Sequence, residues 1–502
     1  MRYSRLTNTL LLGLAVTAHA LVAQTTPEAI SLHEVIRQAL GKNYSIKAQG
    51  FGTDATRADL GAEWGAFHPG FRGTYTHGED GSPQSSDPFT GNRPPSSIAE
   101  TDTFSLGVGG ISPWGMSYQL SGFSQNQRGT FNAFADNYFS FAGLEITQPL
   151  LKGFGFDANL VSVRLARASH GVSQWQYQQT VMNVVTSVIF GYLELDFAHK
   201  NLEISRRSRD LAGNLLDENE KRFRAGSLSA ADVTSARTRV ATREEAILIA
   251  ERSVKVAENF LKGLISDDNT TALLTRSLAI SKPAPLPDHT PNPALEFAAS
   301  LERRPDYQQA KLNLRQTEVN RRYRRNQMLP QVNLVGSLGY NGLDNQVSKS
   351  QLQVLDRDSR SYSLGAVVSI PLTFAAERGR YRSAKFIEQQ AEMNLALVEQ
   401  NIVVALGNAA TQIETAKKRV EVTRYSLGLA EQNLDAELKK LRAGTGSTFF
   451  VLAQQEILAG TEISAYRAET DLQRALADYN LQRGMTLIEH GITIAGDTDM
   501  RF

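Results

Sequence analysis

Two stretches of equal length constrain this chain more than any other feature. Ala375 to Ala443 and Asp157 to Ala225 each run for 69 residues, polar-rich and poor in glycine. In the later one, apolar residues fall at Ile402, Leu406, Ala409, Ile413, Ala416, Val420, Leu427, Ala430, Leu434 and Leu441. The steps are threes and fours, the 3.5 period of a coiled-coil seam rather than one face of a globular helix. The earlier stretch carries Val181, Val185, Val188, Tyr192, Leu195 and Leu202 at the same steps. At ~1.5 Å per residue, each predicts a helix about 100 Å long.

Both runs stop on the same phrase. Arg222-Phe223-Arg224-Ala225-Gly226-Ser227 closes the first, and Lys440-Leu441-Arg442-Ala443-Gly444-Thr445 the second. Glycine after the last periodic residue is a C-cap signal, and arginine suits the negative helix end. Helical patterns resume at once, Ala230 to about Ile265 and Phe449 to about Met485, so each half predicts a long αα-hairpin.

Alternating segments rich in Gly, Ser and aromatics lie between the helices. Pro69 to Tyr75 matches Pro330 to Gly336, and Phe139 to Leu150 matches Tyr362 to Leu372. Proline at their ends suits strands, because it removes no ladder bond there. Gly226 and Gly444 lie 218 residues apart, Pro149 and Pro371 222, but Pro69 and Pro330 261. The first half therefore carries extra residues between its strands. They read as another hairpin, Thr103 to Gly110 and Met116 to Gln125 around Ser112-Pro113-Trp114-Gly115. The chain is thus expected to be a tandem duplication of helix, strands and long helical hairpin. The first repeat covers 24–280, a Pro-rich linker 281–293, the second repeat 294–485 and a tail 486–502. Asp80 to Ser97 and Gly342 to Arg360 are expected to be polar loops between strands.

The opening residues form a targeting segment. Arg2 and Arg5 precede an apolar Leu10–Val16 run, and Ala18-His19-Ala20 has the form of a cleavage site, with Ala23 a second option. A signal peptide over 1–23 is expected, hence export. Its removal takes the net charge from +1 to −1, which advertises no nucleic-acid partner. No later stretch is expected to supply the ~18 apolar residues of a transmembrane helix, so a membrane location would require a closed β-barrel.

Catalytic constellations are missing from the sequence. Cysteine is absent, which removes disulfides, thiolate metal sites, cysteine nucleophiles and a lipidated N-terminal cysteine. His33-Glu34 continues Val35-Ile36-Arg37 and is not a zinc motif. Gly107-Val108-Gly109-Gly110 lies inside a strand pattern, and Gly153-Phe154-Gly155 at a strand-to-helix joint. No catalytic, cofactor or metal residue is expected, and no enzyme. Arg321, Arg322, Arg324 and Arg325 surround Tyr323 just before a predicted strand. That run reads as a solvated helix face, as a contact for anionic lipid headgroups, or, least well in an exported chain, as a nucleic-acid site.

From Ser31 to Met485 the sequence resembles the TolC family of outer-membrane efflux proteins. Ile30-Ser31-Leu32 leads into His33 to Leu40, similar to the family's opening L-x-x-A-L helix. Arg303-Arg304-Pro305-Asp306 opens the second repeat. Leu329-Pro330-Gln331-Val332-Asn333-Leu334, Gln148-Pro149-Leu150 and the two Arg-Ala-Gly turns complete the match.

The resemblance implies an α+β membrane protein: a homotrimer whose outer-membrane β-barrel continues into a long α-helical coiled-coil barrel across the periplasm of a Gram-negative-type cell. It implies a passive duct of a tripartite efflux pump or type I secretion system. Its partners would be a periplasmic adaptor (membrane fusion) protein and an inner-membrane pump of the ABC or RND type. A barrel-anchored structural coiled coil without transport is the rival reading. The family pattern is four strands per chain, twelve per trimer; the inserted hairpin points to six, hence eighteen. The same resemblance places the periplasmic tip and adaptor contact at Arg224, Gly226, Asp232, Arg442, Gly444 and Thr445. Where the first repeat has Asp232-Val233, the second has Phe450-Val451, so an acidic ring is lost there. Phe449 and Phe450 become candidates for an apolar gate that closes by dewetting, or for plain packing of the turn.

Overall fold

The computed structural model describes residues 29–494 except 94 and 276. The expected signal peptide and the end of the expected tail lie outside those residues. Ser31 caps α1 (Leu32–Lys42), and Asn43 caps α2 (Tyr44–Gly65) by accepting the amides of Ser45 and Ile46, which satisfies donors that the first helical turn leaves open. Four strands follow: β1 (Gly70–Ser82), β2 (Ser97–Ile111), β3 (Ser117–Gly129) and β4 (Tyr138–Pro149). A short turn of helix, α3 (Phe156–Asn159), enters the 64-residue α4 (Val161–Arg224), which folds back into α5 (Ala230–Ile265).

After the short α6 (Ala272–Thr275), α7 (Pro293–Arg303) and α8 (Pro305–Gln327) each begin on proline, whose missing N–H is an orphan there anyway. Then come β5 (Gln331–Asp344), α9 (Val347–Asp356), β6 (Ser359–Ser369), the 68-residue α10 (Ala375–Arg442), α11 (Thr448–Gln482) and α12 (Thr486–Glu489). The two long helices and their return helices lie where the heptad pattern predicts them.

All six strands form one antiparallel sheet in chain order, β1-β2-β3-β4-β5-β6. The inserted hairpin is real: β2 and β3 pair from Ala99↔Gly129 to Ile111↔Ser117. β4 joins the halves, pairing with β5 from Tyr138↔Asp344 to Pro149↔Asn333. Among the described residues, only β1 and β6 keep an unpaired edge.

Two expectations are corrected. The segments around 80–97 and 342–360 are not simply polar loops: β1 runs through Ser82, and the second contains α9. That helix is amphipathic, with Ser350 and Val354 buried against the sheet, and local helical periodicity wins over its polar composition. Moreover, α4 does contain a window long and apolar enough to cross a membrane. Two thirds of that window, 67%, is buried inside the protein, so its hydrophobicity is spent on packing.

That packing forms a core around the middle of α4. Val181, Val185, Val188, Tyr192 and Leu195 are buried with Val35, Ile36 and Ala39 of α1 and Leu261 of α5. Tyr192 fixes the crossing segments, its hydroxyl donating to the carbonyls of Ile30 at 3.0 Å and Ser281 at 2.5 Å. A second cluster joins Ile402, Leu406 and Ile413 of α10 to Leu476 and Tyr479 of α11. Ion pairs zip α4 to α11: Glu194 takes Arg467 and Arg474, both at 2.9 Å, and Arg207 meets Glu462 lower down.

Candidate functional site

The sheet has two chemically different faces. Register sets Phe71, Val108, Leu120, Leu144, Leu338 and Tyr362 side by side across all six strands. One residue along, pointing the other way, the rung reads Arg72, Gly107, Ser121, Gly143, Gly339 and Ser361. Period-two alternation makes this separation unavoidable once the register is fixed. The apolar rung is bare, with Phe71 73% and Tyr362 70% exposed. An apolar band of this width on a chain surface marks a contact with something equally apolar.

One aromatic cluster stands on the polar face. Phe123 meets Phe139 and Phe141, centroids 5.7 Å away in both cases. Phe141 lies over Gly339 closely enough that a Cβ there would come within 2.4 Å of the ring. The glycine is required by that approach.

At one end the sheet is stitched to the helices. Asn326 near the end of α8 accepts the amide of Gly153 at 2.9 Å and donates to the carbonyl of Leu151. Gly155 donates to the carbonyl of Trp114 in the β2–β3 turn, so the inserted hairpin is tied to the same joint. The arginine run sits here. Arg321 is paired with Glu388 of α10, and Arg324 stacks 5.5 Å from the ring of Tyr323. It is therefore not a uniformly solvated face.

At the far end lie the two turns. Gly226 and Gly444 both adopt φ of 75°, which favours glycine. Ser227 donates to the carbonyl of Arg222 at 3.0 Å and Gly226 to that of Phe223 at 2.9 Å; Thr445 and Gly444 repeat the pair on Lys440 and Leu441 at 3.1 and 3.2 Å. Both turns are Schellman motifs. Arg224 donates back to the carbonyl of Glu220, and Thr445 to that of Lys440.

The next helices start differently. Asp232 completes a capping box, accepting the amide of Ser229 at 3.3 Å and its hydroxyl at 2.6 Å, while the Ser229 hydroxyl accepts the Asp232 amide. Its place is thus explained by helix capping. In the second copy Ser447 caps alone, through the amide of Phe449. Phe449 and Phe450 are half exposed, edge to face at 5.7 Å. Beneath them Leu215, Ala236, Leu441, Val451 and Leu452 pack four helices together.

Sequence reasoning missed two residues at this end of the helices. A Cβ on Gly446 would meet the Leu441 nitrogen at 2.7 Å, and the Gly-Thr-Gly spelling was the available signal. Arg239 of α5 reaches Glu456 of α11 at 3.1 Å, a cross-repeat contact that no local pattern announces.

The sequence profile of the family described as Outer membrane efflux protein matches residues 35–266 and 298–479. The outer membrane efflux protein BepC of Brucella suis is 22% identical over 364 residues, 70% of this chain and 74% of that protein. Among solved structures, a membrane protein from Pseudomonas aeruginosa superposes with a TM-score of 0.66 at 19% identity, over 90% of this chain and 93% of that one. The CmeC outer membrane channel of Campylobacter jejuni gives 0.65 at 15% identity, over 91% and 86%. At such identities the structures speak for a shared fold.

Proposed function

The chain belongs to the outer membrane efflux protein family, an outer-membrane channel family rather than an enzyme family, and on that footing we propose that it is the duct subunit of a tripartite efflux pump or type I secretion system. The observation that carries this reading is the two-faced sheet with two open edges. An apolar band facing lipid and a polar face turned inward are what a transmembrane barrel requires. One chain cannot close such a barrel, because lipid tolerates no free strand edge. β1 and β6 run antiparallel to each other, so the β6 of one copy can pair with the β1 of the next. Three copies, as the family resemblance implies, close the ring at eighteen strands.

The helices then continue the barrel into the periplasm as two tandem repeats, 24–280 and 294–485, joined by the linker 281–293. The Gly226 and Gly444 turns form the periplasmic tip, where Arg224, Asp232, Arg442 and Thr445 meet an adaptor protein engaged by an inner-membrane ABC or RND pump. Phe449 and Phe450 narrow the entrance.

Single-channel conductance of the purified protein in a planar bilayer tests the proposal. Small, steady currents that grow when the Gly226 and Gly444 turns are loosened are expected. No current even with loosened tips would leave a structural, barrel-anchored coiled coil instead; large, always-open currents would leave a porin.

A further inference from the structure

Just beyond the stitched end of the sheet a groove opens between α2, α4 and α8. Its upper part, about 860 Å³, takes in Phe154, Phe156 and Leu329; a narrower part, about 390 Å³, runs on past Trp64 and Val319. Arg164, Arg167, Arg315, Arg321, Arg322 and Arg325 line it against a single carboxylate, Asp157. Three of these arginines are neutralised within the chain, Arg164 by Asp157, Arg315 by Glu318 and Arg321 by Glu388. Arg167, Arg322 and Arg325 are exposed and have no carboxylate partner among the described residues. Arg322 lines both parts of the groove, Arg325 the upper one and Arg167 the narrower one. Unpaired guanidinium groups strung along one groove invite an anion, and arginine suits phosphate oxygens in particular.

The groove's direction follows from α4. Arg164, Arg167 and Gly171 continue, in steps of three and four, the stripe of Val181, Val185, Val188, Tyr192 and Leu195. Lower down that stripe is covered by α1 and the crossing segments held by Tyr192. In an open tube such crossing segments lie outside, so the groove faces outward as well. Its level is set by the sheet: Phe154 and Phe156, 50% and 53% exposed, and Trp64 at 38% sit where the strands end, the place of an aromatic belt at a membrane boundary.

We infer that this groove holds the headgroup of an anionic phospholipid from the leaflet nearest the helices. The phosphate lies against Arg322, which lines both parts, with Arg325 on its upper side and Arg167 on its narrower side, and an acyl chain runs along Phe154, Phe156 and Leu329. The inference rests on reading the sheet as a membrane barrel. It assigns a lipid site within each chain that needs no neighbouring copy.

Native mass spectrometry of the assembled protein, offered phosphatidylglycerol or phosphatidylethanolamine in detergent, tests it. Phosphatidylglycerol should be retained in preference. Arg167→Gln/Arg322→Gln/Arg325→Gln should lower that retention about tenfold, and Arg167→Lys/Arg322→Lys/Arg325→Lys should fall between that variant and the wild type, because it keeps the charge but not arginine's paired N–H donors. Equal retention of both lipids, or undiminished retention by the glutamine variant, overturns the site. Inorganic phosphate displacing phosphatidylglycerol completely would overturn the lipid assignment. If the glutamine variant does not assemble, brominated phosphatidylglycerol added to the wild type decides: it should quench fluorescence that Trp64→Phe removes, and no such quenching overturns the site. Conductance is expected to be unchanged in the variants, so absent currents in the wild type would count against the duct and not against the groove.

Discussion

The guanidinium of Arg239 lies over the ring of Phe449, its Cζ 5.2 Å from the centroid. The same side chain holds Glu456 at 3.1 Å, with Arg243 at 3.8 Å from that carboxylate. An aromatic at the start of one hairpin's return helix is thus pinned by a cation from the other hairpin. Such contacts are worth about 0.5–1 kcal/mol where exposed. The tip is therefore held by weak, separable bonds.

Phe449→Ala with Phe450→Ala is predicted to raise single-channel conductance, because the apolar pair no longer dewets the entrance. Conductance identical to wild type would remove both residues from any gate. Arg239→Ala should raise conductance less, by freeing Phe449 without shortening it.

Gly226→Ala and Gly444→Ala are each predicted to cost about 1 kcal/mol at the turn, the strain of a Cβ in the left-handed region. Hydrogen exchange at the amides of Ser227 and Thr445 should speed up while exchange in the middle of α4 and α10 stays unchanged. Exchange that rises equally everywhere would mean that the turns are not local elements.

Glu258 and Lys262 are buried together in α5, 3.3 Å apart, and Glu258 also accepts the Leu278 amide at 2.6 Å and faces Lys255 at 3.2 Å. Burial pushes the Glu258 carboxyl up, but the Leu278 amide and the two lysines outweigh it and leave it below its ordinary range. The folded state thus binds this proton more weakly than the unfolded chain. The stabilisation is fully present above the ordinary carboxylate value and is lost as pH falls from there through the lowered one. Exchange around Leu278 should accelerate in that acid range. Glu258→Gln should loosen the segment at neutral pH by about 3 kcal/mol, since Lys262 is left buried and unpaired. A segment equally protected at pH 3 and pH 7 would refute this.

Gly339→Val is predicted to impair assembly, because the new side chain occupies the space of the Phe141 ring. Gly339→Val combined with Phe141→Ala should recover assembly in part. Heat-modifiable mobility on gels reads both; no recovery would place the defect in the backbone instead.

Much of this architecture is legible in sequence because long-range regularity is cheap to write. A 3.5 period kept from Ile402 to Leu441 leaves a chain few alternatives to a long helix, and the twin Gly226 and Gly444 signals mark its ends. Strand ends were visible through Pro149 and Pro330. What escaped depends on contacts between distant segments. Helix α9 reads as polar because Ser350 and Val354 are its only buried residues. The Glu456 contacts and the groove around Arg322 exist only once two helices lie side by side. Asp232 was legible as a motif, but its carboxylate is occupied by Ser229, which no spacing reveals.

The β2–β3 hairpin has a consequence for calibre. The circumference of a closed barrel grows with its strand number, so three copies with six strands each would form an outlet about half again as wide as three copies with four. A hairpin adds two strands at a time and leaves the first and last strand directions unchanged, so the edges that join copies still match. The outlet of such a duct can therefore be resized in whole hairpins while its opposite end, where the glycine turns lie, keeps the same aperture.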